Sequence, residues 1–131
     1  MTLFVEDVTV AREFYERAFG LPLHYADDVS AVYAFGGTLV NLLARTEAKE
    51  LIEPAPIGPT GARMMLTVAV EDVDALCAEL TGRGVALLNG PMDRPWGPRT
   101  AAFSDPDGHV WEIAHNPGFM MDEAGNVTFG V

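Results

Sequence analysis

The sequence predicts an α+β fold of two βαβββ modules, with a mixed eight-stranded curved sheet around a central cleft and the helices outside. Three observations predict it. The tetrapeptide Val5-Glu6-Asp7-Val8 returns as Val70-Glu71-Asp72-Val73, 65 positions later. At the same offset the apolar stripe Val8, Ala11, Tyr15 is answered by Val73, Leu76, Leu80. Each half then repeats one order of elements: strand, helix, three strands.

Thr2 to Glu6 is a short strand, and Asp7 is placed to cap the helix after it. Val8, Ala11, Phe14, Tyr15 and Ala18 recur at helical spacing, with Arg12, Glu13 and Glu16 on the polar face. Gly20 stands where such a helix ends. Strands follow over 21–26, 31–35 and 38–44, separated by Asp27-Asp28 and Gly36-Gly37. Residues 45–62 change character: Pro54, Pro56, Pro59, Gly58 and Gly61 crowd a connector whose periodic part is a single helical turn near 47–52. The second half gives a strand over 64–70, a cap at Asp72, a helix ended by Gly84, a strand over 85–89 and a closing hairpin. The expected organisation is one domain over 1–116, with modules 1–44 and 63–116 joined by linker 45–62. A tail over 117–131 holds a turn at Glu123-Ala124-Gly125-Asn126 and either folds back over an edge or reaches a neighbouring subunit.

The hairpin turns at Asp105-Pro106-Asp107-Gly108. Proline presets φ, aspartate bonds nearby backbone and glycine accepts positive φ. In the strand that follows, Trp111 and Ile113 share the face that meets a helix, while Val110, Glu112 and Ala114 share the other. Glu112 is thus a lone carboxylate among apolar neighbours, either a group in a cleft or a charge on a solvated face.

Composition excludes several classes. Nineteen acidic against eight basic residues give a formal charge of −11, without a basic stripe, so nucleic acid is not an expected partner. The charge either steers cationic ligands or keeps the protein in solution. No apolar run approaches the ~20 residues of a membrane helix, and no basic-then-apolar leader opens the chain. The single cysteine, Cys77, cannot form an internal disulfide, and a cytoplasmic location is expected. Cys77 falls on the apolar side of its helix, as a buried small hydrophobe. No Gly-x-Ser-x-Gly turn, Cys/His pairing or phosphate-cradling glycine loop supports nucleophilic catalysis.

The duplicated unit, with Phe14-Tyr15 and Phe19-Gly20-Leu21 in its first half, resembles the vicinal oxygen chelate superfamily. That group includes glyoxalase I, bleomycin-resistance proteins, fosfomycin-modifying enzymes and extradiol dioxygenases. Pro95-Trp96-Gly97-Pro98-Arg99 followed by Asp105-Pro106-Asp107-Gly108 is similar to the bleomycin-resistance branch. The resemblance spans about 2–116. It implies paired modules around a ligand cleft, faced by Phe4, Asn41, Met65 and Glu112. Metal-dependent members place one ligand on each of four strands; here those positions fall before Met1, on Asn41, on Met65 and on Glu112. One carboxylate of four implies no metal and no cofactor. His109 and His115 should face away from Glu112, and His24 lies apart from the matched positions. Trp96 either stacks on a flat ligand or plugs a barrel end. Arg99 either pairs with Glu112 or an anionic group, or is a surface arginine.

The expected function is therefore metal-independent binding of a small molecule, a drug or metabolite, by a homodimer. The alternative is a lyase, isomerase or dioxygenase, metal-dependent or using Glu112 as acid and base; Glu112 is then the one catalytic candidate. A third reading is a structural or regulatory dimer whose cleft is filled by its own side chains.

Overall fold

Two aspartates 65 residues apart start the two longer helices in the same way. Asp7 has extended backbone (φ −133°, ψ 112°) and its Oδ1 accepts from the Val10 N–H at 3.1 Å. Asp72 (φ −135°, ψ 98°) accepts from the Ala75 N–H at 2.9 Å. The first turn of a helix leaves N–H groups without acceptors, and a short side-chain oxygen supplies one. Gly20 closes the first helix, as its position in the sequence indicates.

The computed structural model describes residues 1–59, 61–62 and 64–129. The elements run β1 (Thr2–Val5), α1 (Val8–Phe19), β2 (Leu23–Ala26), β3 (Ser30–Phe35), β4 (Thr38–Ala44), α2 (Arg45–Ile52), β5 (Met65–Ala69), α3 (Val73–Gly82), β6 (Leu87–Asp93), β7 (Arg99–Ser104), β8 (Val110–His115), β9 (Phe119–Met121) and β10 (Val127–Phe129). They fall into two units, Met1–Gly61 and Ala62–Val131. The eight principal strands hydrogen-bond as two four-stranded mixed sheets, one per βαβββ module, with β9–β10 as a separate ribbon. Among the described residues, no helix is long and apolar enough to cross a membrane.

In the first unit the sheet order is β1-β4-β3-β2, with β1 parallel to β4 and the other pairs antiparallel. Side chains alternate between faces. Leu3, Val5, Ala31, Tyr33, Val40 and Leu42 are all buried, as are Ala11, Phe14, Tyr15 and Ala18 of α1. Removing this apolar surface from water is the main force holding helix to sheet. The Tyr33 hydroxyl donates to Glu16 Oε1 at 2.9 Å across that interface, and burial first, then this bond, raises the phenol's pKa. The connector holds more structure than the single turn expected of it. Helix α2 leaves β4 directly and packs on β4 and β1, with Ala48 fully buried. Arg45 pairs with Glu6 at 3.1 Å and donates to the Gly58 carbonyl at 2.7 Å. These long-range contacts make the helix, which local periodicity understates.

The second unit repeats the topology as β5-β8-β7-β6, with β5 parallel to β8. Ala101, Phe103, Trp111 and Ile113 are buried together with Val73, Cys77 and Leu80 of α3. In the hairpin turn, Asp105 Oδ1 accepts from the Asp107 and His109 N–H groups, and Asp105 Oδ2 lies 2.6 Å from His109 Nδ1. His109 therefore belongs to the turn rather than to β8. The strand expected over 85–89 instead occupies Leu87–Asp93, and its register against β7 breaks between Leu87 and Asn89 and again between Asn89 and Met92. Gly90 makes this course feasible. At φ +82° it runs beside β7 so closely that a Cβ would collide with the Thr100 carbonyl and lie 2.7 Å from Ala101 Cα. In the tail, the Asp122 N–H donates to the Asn126 carbonyl and closes the β9–β10 turn where the sequence indicates one.

Candidate ligand-binding site

Strand parity decides what Glu112 meets. On β7, Arg99 reaches Asp74 of α3, so Arg99, Ala101 and Phe103 point to the helix side while Thr100 and Ala102 point away. Glu112 is the cross-strand partner of Ala102 and of Thr67. It therefore lies on the face turned away from α3, where the sequence places it. The Thr67 hydroxyl donates to Glu112 Oε1 at 3.2 Å.

A hollow of about 280 Å³ opens on this face, lined by Thr67, Trp96, Pro98, Thr100, Glu112 and Asn116 among others. That lies near the lower end of small-molecule sites, roughly 300–1,000 Å³. The loop between β6 and β7 presents its indole. The Arg94 N–H donates to the Pro98 carbonyl at 2.8 Å and the Gly97 N–H donates to the Arg94 carbonyl at 3.0 Å. This tight closure leaves Trp96 at the rim, 74% exposed. The exposed indole offers a flat apolar face on which a ring can stack. The chemistry assembled is a flat apolar surface, a half-buried carboxylate that accepts hydrogen bonds, and hydroxyl and amide groups from Thr67, Thr100 and Asn116.

Of the residues singled out from sequence, Trp96 and Glu112 come together here. Met65 shares the face but is half exposed and stands outside the hollow's wall. Phe4 and Asn41 share the corresponding face of the first unit, half-buried, with Asn41 between Thr2 and Val32. Asn41 Oδ1 is buried without a hydrogen-bond partner among the described residues. Arg99 does not pair with Glu112. It grips Asp74 through Nε and Nη2 at 2.6 and 2.8 Å and reaches Asp93 at 3.1 Å, tying β7 to α3 on the opposite face. Its hydrogen bonds hold the Asp74 carboxyl below the ordinary carboxylate range. Buried Cys77 has its thiol pKa raised, by desolvation first and by the Asp74 charge second. His115 points to the side opposite Glu112 and lies 3.2 Å from the Val70 carbonyl, while His24 lies on the exposed edge strand β2.

Sequence reasoning missed Thr67, Thr100 and Asn116. Thr67 has the same parity as Met65 two positions earlier, but its pairing with Glu112 spans 45 residues and depends on the β5–β8 register.

Comparison with known proteins agrees with this architecture. The family model described as Glyoxalase/Bleomycin resistance protein/Dioxygenase superfamily matches residues 1–113. The chain is 33% identical over 117 residues to the uncharacterized protein YraH of Bacillus subtilis (strain 168), covering 85% of this chain and 91% of that one. A crystal structure of a glyoxalase-related enzyme from Fulvimarina pelagi superposes with a TM-score of 0.87 at 28% identity, covering 100% of this chain and 96% of the other. A lactoylglutathione lyase from Agrobacterium tumefaciens superposes at 0.72 with 20% identity over 88% and 90% of the two chains, a likeness of fold alone.

Of the four strand positions that the family resemblance matches to metal ligands, two lie in the second unit. In the second unit the matched pair is Glu112 and Met65, and the cross-strand neighbour of the carboxylate is a hydroxyl that donates to it. Among the described residues, no three His, Cys, Asp or Glu side chains come together as ligands.

Proposed function

The chain belongs to the Glyoxalase/Bleomycin resistance protein/Dioxygenase superfamily, and from that premise we propose that it binds a small flat drug or metabolite, without a metal ion, on the sheet face that carries Glu112. The observation that carries this reading is the hollow itself: an exposed indole beside a half-buried carboxylate, in about 280 Å³. Trp96 supplies stacking area and Glu112, steadied by Thr67, accepts a donor from the ligand. Met65, on the same face of the second unit, would extend the apolar surface available to a larger molecule.

The protein itself carries the probe for a test. It has two tryptophans, and Trp111 is buried while Trp96 is exposed, so changes in the accessible emission report Trp96. Chelator-treated protein titrated with flat aromatic compounds should show saturable change in this signal. Trp96→Ala, which removes the reporter and is therefore titrated by calorimetry, should weaken binding roughly threefold to tenfold, the worth of an aromatic stack. Binding that appears only after a divalent ion is restored would overturn the metal-free reading.

Glu112 as a proton-transferring group in a lyase, isomerase or dioxygenase is the alternative; ligand consumption abolished by Glu112→Gln would establish it. Assembly as a homodimer in the cytoplasm belongs to the same proposal, and a light-scattering mass of one chain would refute the dimer.

A further inference from the structure

Arg94 differs from four other arginines in the company it keeps. Arg12, Arg45, Arg83 and Arg99 each lie within 3.5 Å of a carboxylate. Arg94 instead donates from Nε to Thr100 Oγ1 at 2.8 Å and from Nη2 to Asn89 Oδ1 at 2.7 Å, both neutral acceptors. Among the described residues no carboxylate pairs with it. In a chain of formal charge −11 this is a half-buried guanidinium, held in place, whose charge no carboxylate among the described residues neutralises.

Its bond to Thr100 also sets the direction of that hydroxyl. Oγ1 receives the arginine hydrogen on a lone pair, so the Thr100 hydrogen must go to another acceptor, and among the described residues it has none. Thr100 is 2% exposed and lines the hollow. A buried hydroxyl with a guanidinium on its oxygen is a polarised donor. Glu112 is an acceptor on the same sheet face. Thr100 pairs with Ala114 and Glu112 with Ala102, which makes Thr100 and Glu112 diagonal neighbours about 7–8 Å apart along the backbone. One aromatic ring with a substituent at each end bridges such a gap.

We propose that the Thr100 hydroxyl, polarised by the Arg94 guanidinium behind it and outside the hollow's lining, is the oxyanion-recognising half of this site. The ligand is then a flat molecule with a carboxylate or similar oxyanion at one end and an amine or other donor at the other, read by Glu112. The proposal rests on the ligand-binding reading above and adds the charge pattern that selects the ligand. The overall field of the protein favours cations, so a preference for a carboxylate would report these local groups.

Four one-ring probes separate charge from shape: 4-(aminomethyl)benzoate, benzoate, benzylamine and benzyl alcohol. Each is titrated at millimolar concentration into the intact wild-type protein, by Trp96 emission and by calorimetry. The expected order places 4-(aminomethyl)benzoate tightest and benzoate ahead of benzyl alcohol. Arg94→Gln should weaken both carboxylates roughly tenfold and leave benzylamine unchanged, since the charge that polarises the Thr100 hydroxyl is lost. Thr100→Val, which keeps volume and removes the hydroxyl, should act in the same direction. Benzylamine or benzyl alcohol binding as tightly as 4-(aminomethyl)benzoate in the wild type would overturn the proposal and leave the pocket reading standing. Unchanged benzoate affinity in Arg94→Gln would do the same. Silence from all four probes would overturn both.

Discussion

Replacing Gly90 by alanine adds one methyl group where three atoms of β7 already stand. The new Cβ would collide with the Thr100 carbonyl oxygen and lie 2.7 Å from Ala101 Cα and 2.9 Å from Ala101 Cβ. Two of these atoms are backbone, so no rotamer change relieves the clash. The residue also has φ +82°, where a side chain meets its own carbonyl. Gly84 separates the two effects, because it has φ +84° with no heavy atom within 4 Å of an added Cβ. Gly84→Ala should therefore cost only the conformational part, about 1–2 kcal/mol. Gly90→Ala should cost that and a further ~1–3 kcal/mol for forced displacement of packed atoms, about 2–5 kcal/mol in all. Against a typical total of about 5–15 kcal/mol this is a large fraction. Urea unfolding followed by circular dichroism measures both variants. With a slope of about 1–3 kcal/mol per molar urea, the excess should separate their midpoints by about 1 M. Equal midpoints would refute the close packing of β6 on β7 on which the position of Thr100 in the hollow depends.

Three further outcomes follow from local geometry. Asp7→Ala and Asp72→Ala each remove one side-chain cap of nearly identical conformation, and each should cost about 1 kcal/mol in the same unfolding assay; a marked inequality would contradict the structural duplication. The Asp74 carboxyl is held below its ordinary value of 3.8 by the hydrogen bonds from Arg99. Its contribution is then complete above that pH and lost as pH falls through the depressed value, so wild-type melting temperature between pH 5 and pH 2 should fall more steeply than that of Asp74→Asn. Parallel curves would show that the pair adds nothing in acid. Trp111→Ala, which empties a site only 2% exposed, should cost about 3–5 kcal/mol, whereas Trp96→Ala at the 74% exposed rim should stay within about 0.5 kcal/mol. A large destabilisation by Trp96→Ala would mean that the indole plugs the structure rather than offering itself to a ligand.

Strand parity and helix ends were legible because their causes lie within a few residues. Asp7 and Asp72 cap, Gly20 terminates, Asp105 organises its turn, and Glu112 faces away from Trp111, all by chemistry of neighbouring positions. The site was only half legible for the same reason. Glu112 and Trp96 stand out by type and spacing, but Thr67 joins them across 45 residues through the parallel β5–β8 register. Arg99 shows where local reasoning ends. Its partner Asp74 lies 25 residues earlier on a different element, and only packing of α3 on the sheet reveals that the pair exists.

The amino-acid sequence by itself determined the two βαβββ modules and the faces of their strands, because periodicity, caps and turns are short-range properties of covalently adjacent residues. Tertiary structure alone decided which polar groups meet. It turned Arg99 toward Asp74, set Arg94 on the Thr100 hydroxyl and pressed Gly90 against β7, since such pairings depend on register and close packing between segments distant in the chain.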